Sequence, residues 1–170
     1  MADNPDLPDE MFLVTPDDAG IPADATTLSF SRSTTVLLTF AANRFTRKAA
    51  HHYRTEFGLG VMDWRMLVML TRAPGSNVAH ASKTMGIDKA AVSRSLARLE
   101  KSGLAASTAG TPDERRREWR LTKKGRDLHA RILDASLNRQ KELLDGFTPA
   151  EVEQFNGYLR RCLHNLDSLS

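Results

Sequence analysis

The chain has 170 residues, 41% of them hydrophobic and 26% charged, a size and balance suited to one globular domain with a proper core. No apolar run reaches the length of a membrane span, and the single cysteine, Cys162, excludes an internal disulfide and a Cys-rich zinc site. The net charge of +3 conceals a division: residues 1–30 hold seven acids and no Lys or Arg, so 24 basic residues against the remaining 14 acids leave +10 on the rest.

From Met1 to about Thr27 the sequence carries Pro5, Pro8, Pro16 and Pro22, scattered acids and little periodicity. That pattern predicts an extended, partly disordered acidic arm over residues 1–30, with Met11, Phe12, Leu13 and Val14 as its only adhesive patch. Its acidity argues against a role in gripping nucleic acid.

Helical periodicity begins near Ser31 to Thr34, where Ser and Thr suit an N-cap, and continues through Val36, Leu37, Phe40, Ala41, Phe45, Ala49 and Tyr53 to a stop at Gly58 and Gly60. Asp63 is then placed to cap a short helix from Trp64 to Thr71. Its run Met66, Leu67, Val68, Met69 and Leu70 is too apolar to face water on all sides.

After a loop with Pro74 and Gly75, Val78, Ala81, Ser82 and Met85 recur at helical spacing until Gly86 breaks the run. Ile87 is an apolar plug, and Asp88 caps a second helix in which Val92, Leu96 and Leu99 form one buried stripe before Gly103 ends it. Lys89, Ala90, Ser93, Arg94, Ala97 and Arg98 point outward. A face that is small near its start and basic along its length can enter a major groove, with Arg94 best placed to read a base edge.

Leu104 to Ser107 and Glu118 to Leu121 can pair as two short strands around a loop containing Gly110, Pro112 and Asp113. Such a wing carries Arg115, Arg116 and Arg117 at or beside its tip, where cations suit a narrow minor groove. Between Lys83 and Arg126 there are 12 Lys or Arg against five acids, so the cationic excess falls on this stretch.

Thr122 can cap a helix reaching about Leu144, with Leu128, Ile132, Leu133, Leu137, Leu143 and Leu144 on its apolar side. Thr148 and Glu151 match a capping box with Pro149 in the first turn, and Val152, Phe155, Tyr158, Leu159, Cys162, Leu163 and Leu166 extend the last helix. These terminal helices offer more apolar surface than a subunit of this size readily buries alone, which predicts pairing with a second copy.

The segments IDKAAVSRSLARLEKSGL (Ile87 to Leu104) and PDERRREWRLT (Pro112 to Thr122) resemble the winged helix-turn-helix of MarR-type transcriptional regulators, including the D-x-R wing signature followed by L-T. The resemblance covers about Ser31 to Ser170. It departs in the first wing strand, where Ala105, Ala106, Ser107 and Thr108 stand in place of a charged pair.

The resemblance implies a mainly α fold: a winged helix-turn-helix over residues 62–121 with a helical dimerisation region from residues 31–57 and 122–170. It assigns Arg115 to the minor groove, Asp113 to bracing the wing, and Ser93 and Arg94 to recognition-helix contacts. With Lys89, Ala90, Arg98 and Arg116 these make the expected DNA-binding set. Partners would be a near-palindromic double-stranded operator, a second copy, and a small aromatic or phenolic acid, or a thioester of one, that releases a repressor from DNA.

For such an effector, Arg47 and His51 lie one helical turn apart, and Trp64 and Arg65 open the next helix. Cation and aromatic together suit an anionic aromatic compound. Adjacent His51 and His52 point about 100 degrees apart on a helix and do not form a chelating pair, so no metal is expected. No phosphate loop, nucleophile elbow or paired acidic motif is present, which leaves no catalytic residues and no cofactor. A winged adaptor binding an acidic protein, and a redox switch at Cys162, are the alternative readings. No signal-peptide pattern opens the chain, so the expected location is the cytoplasm.

Overall fold

The computed structural model describes residues 7–15, 18, 20–22, 24–108 and 117–168. It divides into two compact units, Met1–Val61 and Met62–Ser170.

In the first unit a single 3-10 turn, Asp9–Met11, precedes strands β1 (Leu13–Val14) and β2 (Thr27–Leu28) and the long helix α1 (Thr34–Phe57). The strands pair antiparallel, Leu13 opposite Leu28 and Val14 opposite Thr27. The described part of the arm is therefore folded back on itself rather than extended as the sequence suggested. Pro8 and Pro22 accept turn hydrogen bonds from Met11 and Ala25 at 3.0 Å, so the prolines bend the chain instead of stretching it. Arg32 ties this hairpin to the entry of α1, donating to the Leu13 carbonyl and lying 3.6 Å from Asp18. Buried Ser29 accepts from the Arg32 amide at 3.1 Å, and Ser33 is the N-cap residue of α1.

The second unit holds α2 (Val61–Arg72, whose first residue falls on the division), α3 (Val78–Met85), α4 (Lys89–Lys101), β3 (Ala105–Ser107), β4 (Trp119–Leu121), α5 (Lys123–Leu143) and α6 (Pro149–Ser168). Its core is the apolar face of α2, with Met66, Leu67 and Leu70 essentially sealed from water, together with Val92, Leu96 and Leu99 of α4. The stripe read from the spacing of α4 is the buried one.

β3 and β4 form an antiparallel ladder with Ser107 opposite Trp119 and Ala105 opposite Leu121. The loop before α3 joins it, since the Trp119 amide donates to the Ser76 carbonyl at 3.0 Å and the Gly75 amide to the Trp119 carbonyl at 2.8 Å. Two strands alone hold poorly in water, and this third pairing anchors β4.

Caps fix the helix starts. Asn77 accepts from the His80 amide, Asp88 from Ala91 and Thr122 from Gly125, at 2.8, 2.9 and 3.1 Å. Thr148 and Glu151 make the reciprocal capping box, Thr148 N to Glu151 Oε2 at 2.8 Å and Glu151 N to Thr148 Oγ1 at 3.3 Å. The carboxyl of Glu151 is held below the usual carboxylate range by the Thr148 amide and then its hydroxyl. Among the described residues no helix is long and apolar enough to cross a membrane.

Candidate nucleic-acid interface

The turn between α3 and α4 is tight because Gly86 takes a φ of +62°, a left-handed conformation that costs glycine little. The Ile87 amide returns to the Ser82 carbonyl at 3.1 Å, and the Ser82 hydroxyl donates to the Ile87 carbonyl at 2.6 Å. Ile87 is half-buried, as a plug at the turn requires. This sets α4 across α3 with its apolar stripe inward.

The opposite face of α4 carries Lys89, Ala90, Ser93, Arg94, Ala97 and Arg98, all exposed. Among the described residues Lys89 and Arg94 have no hydrogen-bond or ion-pair partner, so both cations are presented to solvent. The small Ala90, Ser93 and Ala97 on the same face leave the helix backbone open to close approach by a groove wall.

Arg98 is held differently. Its Nη2 donates to Asp63 Oδ1 at 2.7 Å and its Nε spans both carboxylate oxygens at 3.2 and 3.3 Å, while Ser95 Oγ donates to the same Oδ1 at 2.6 Å. The Arg98 side chain keeps 53% of its surface exposed, but its charge is matched by a carboxylate. Asp63 does not stand before α2 as its position suggested: that helix begins at Val61, Asp63 lies in its first turn, and its buried side chain bonds Ser95 and Arg98 of α4.

At the other end of α4, Glu100 accepts from Ser107 Oγ at 2.6 Å and from Arg117 Nη2 at 3.1 Å to each oxygen. Arg117 also lies over the Trp119 ring, 4.9 Å from its centroid. Glu100 was not singled out by sequence reasoning. Its spacing from Ser93 and Arg94 marks it only as polar, and its partners are Ser107 at the end of β3 and Arg117, two residues before β4. Asp113, Arg115 and Arg116 lie outside the described residues.

The residues expected to meet an effector fall in both units. Arg47 and His51 are exposed on α1, and Arg47 lines a shallow depression with Phe40, Asn43 and Arg44, where Arg44 sits 5.9 Å above the Phe40 ring. In the second unit Trp64 and Arg65 line a cleft of about 570 Å³ between α2 and the end of α3, with Val68, Arg72, Met85 and Ile87. Trp64 stacks on His129 of α5, centroids 5.2 Å apart at 26°. Burial lowers the affinity of His129 for a proton. Arg72 was missed in the sequence, although Arg65, Val68 and Arg72 recur on one face of α2 at three- and four-residue steps. Cys162 is half-buried on α6.

Residues 57–116 match the model of the MarR family. A MarR/EmrR family transcriptional regulator from Acinetobacter sp. ADP1 is 30% identical, with 84% of this chain and 100% of that one aligned at a TM-score of 0.77. The fold is shared with a MarR family regulator from Silicibacter pomeroyi, at 22% identity, 81% and 92% coverage and a TM-score of 0.70. It is shared also with Bordetella bronchiseptica BpsR, whose DNA binding is regulated by 6-hydroxynicotinic acid, at 23% identity, 80% and 96% coverage and a TM-score of 0.69.

Proposed function

The chain belongs to the MarR family of transcriptional regulators, and from that premise we propose that it is a homodimeric, sequence-specific repressor released from its operator by a small anionic aromatic compound. The observation that carries the DNA-reading part is the face of α4, where Lys89 and Arg94 stand exposed and unpaired above a fully buried apolar stripe. Arg94 and Ser93 are the base-reading pair in this reading, Lys89 and Arg116 neutralise phosphates, and Arg115 braced by Asp113 enters the minor groove.

A second copy is supported by what the terminal helices leave bare. Phe155 and Tyr158 of α6 are 42% and 52% exposed and Leu163 and Leu166 are 62% and 60%, while Leu133 and Leu137 of α5 are 39% and 49% exposed. No residue of α6 is buried. A 20-residue helix with this much apolar surface in water is unstable unless something covers it. Two copies would set two α4 helices for half-sites roughly 10 base pairs apart on one face of a duplex.

The effector part rests on the cleft of Trp64 and Arg65. An aromatic face with Arg65 and Arg72 suits a flat aromatic anion, the class of compound to which 6-hydroxynicotinic acid, the regulator of DNA binding by the Bordetella protein, belongs. Arg47 and His51 belong to α1 of the first unit and line no part of this cleft.

The test is selection of duplexes from a random library, followed by gel-shift against competitor DNA with and without a panel of aromatic acids that includes 6-hydroxynicotinic acid. A recovered near-palindrome, bound tightly and released by at least one acid, is the expected result. Binding without sequence preference removes the repressor reading and favours a protein-interaction adaptor.

A further inference from the structure

The run Arg115–Arg117 reads as one cationic patch, yet the structure separates its last member from any such role. Arg117 is spent on Glu100 and on the face of Trp119, an indole only 4% exposed. Ser107, directly opposite Trp119 in the ladder, donates to the same carboxylate. One side chain of the reading helix therefore holds the end of β3 and the segment leading into β4.

One more rung lies beyond this point. The Thr108 amide donates to the Glu118 carbonyl at 2.9 Å, and the Glu118 amide to Thr108 Oγ1 at 3.2 Å. Residues 109–116, which include Asp113 and Arg115, follow directly. A ladder of three-residue strands has little stiffness of its own, so its angle to α4 depends on what ties it down. The inner end is tied by Leu104, whose carbonyl accepts the Thr122 amide at 3.0 Å. At the outer end Ser76, from the loop before α3, pairs with Trp119, and Glu100 fastens the wing to α4 through Ser107 and Arg117.

We propose that Glu100 is a positioning residue for the wing, clamping Ser107 and Arg117 so that the base-reading face of α4 and the arginine at the wing tip meet DNA in one fixed geometry. This rests on the DNA-reading function above and adds the element that couples its two halves. Arg117 accordingly serves the clamp and not the phosphate backbone. The pair is about one-third exposed on each side, 37% and 37%, so its contribution to stability is small and its effect is geometric.

Two measurements on the full chain decide it. In a Trp64→Phe background Trp119 is the only tryptophan, and its emission reports the cation above it. Glu100→Gln and Arg117→Met are each expected to shift that emission in the same direction; emission identical to the parent in both overturns the clamp. The second measurement uses a duplex recovered from a random library by the wild-type protein. Arg115→Ala is expected to weaken binding roughly tenfold in the wild type but less than about twofold in Glu100→Gln, because a misplaced wing has no contact left to lose. A full additive loss, or a salt slope lowered by about one in Arg117→Met alone and not in Glu100→Gln, would mark Arg117 as a phosphate ligand and overturn the proposal. Should the wild type recover no duplex, the DNA-reading function falls while the emission arm still judges the clamp.

Discussion

Asp63 at the start of α2 and Arg98 on α4 form a forked ion pair, Nη2 to Oδ1 at 2.7 Å, across 35 positions of sequence. The carboxylate is 9% exposed and also serves Ser95, which is completely buried, so α4 is bound to α2 by a charge-assisted network. Removing the acid strands a buried hydroxyl and frees a guanidinium on the reading face. Asp63→Ala is expected to lower unfolding free energy by about 2 kcal/mol, more than Ser95→Ala, where the acceptor keeps Arg98. Urea titration measures both, and an equal cost for the two would show that the ion pair contributes nothing.

Gly125 sits where a Cβ would lie 1.9 Å from the Leu104 carbonyl oxygen. Leu104 also receives the Thr122 amide at 3.0 Å, so its carbonyl is held in place where α5 leaves the wing. Alanine normally gains up to about 1 kcal/mol over glycine within a helix, but here the backbone must shift. Gly125→Ala is expected to destabilise by about 2 kcal/mol or more. A raised melting temperature would refute this packing.

His129 lies against Trp64, and burial lowers its pKa from the ordinary 6.5. As pH falls, the unfolded chain takes up this proton first, so stability is fully present above about 6.5 and is lost as pH drops through the folded-state value. Melting temperature should therefore fall more steeply in the wild type than in His129→Phe between about pH 7.5 and about pH 5. Parallel curves would exclude His129 as a source of the loss.

Leu163 and Leu166 project from α6 with most of their surface in water. If a second copy covers them, Leu163→Glu places a charge in that contact and shifts the sedimentation profile to a single chain, with a fall in operator affinity of roughly a hundredfold or more. An unchanged profile would move the contact elsewhere.

Arg94→Ala and Arg115→Ala separate the two modes of reading. Loss of a base contact relaxes preference at one position at a cost of about 1 to 3 kcal/mol, whereas loss of a minor-groove arginine weakens binding with a preference for narrow grooves. Competition with single-position operator variants distinguishes them. Identical profiles for both variants would remove the assignment.

What could be read from the residues alone was what repeats locally. Val92, Leu96 and Leu99 announce a buried stripe by spacing, and Thr148 with Glu151 announces a helix start, because both signals lie within a few residues. Asp63 shows the boundary of that method. Nothing in the sequence around an acid at a helix start shows that it also bonds a serine 32 positions away. Arg94 and Arg98 are likewise equivalent by periodicity, both exposed on one face, and only the distant carboxylate separates them. The hairpin of the arm gave no signal because strands of two residues are too short to show alternation.

Asp63 and Trp64 are consecutive, so a single helical step on α2 separates the anchor of α4 from the aromatic wall of the cleft. Neither can be retuned in isolation, since a roll of the helix that widens one displaces the other. If the cleft takes the proposed effector, its breadth and the seating of α4 are therefore competing demands on the same few backbone atoms. Selection for a bulkier ligand in that cleft should then return paired changes, one beside Trp64 and a compensating one near Ser95.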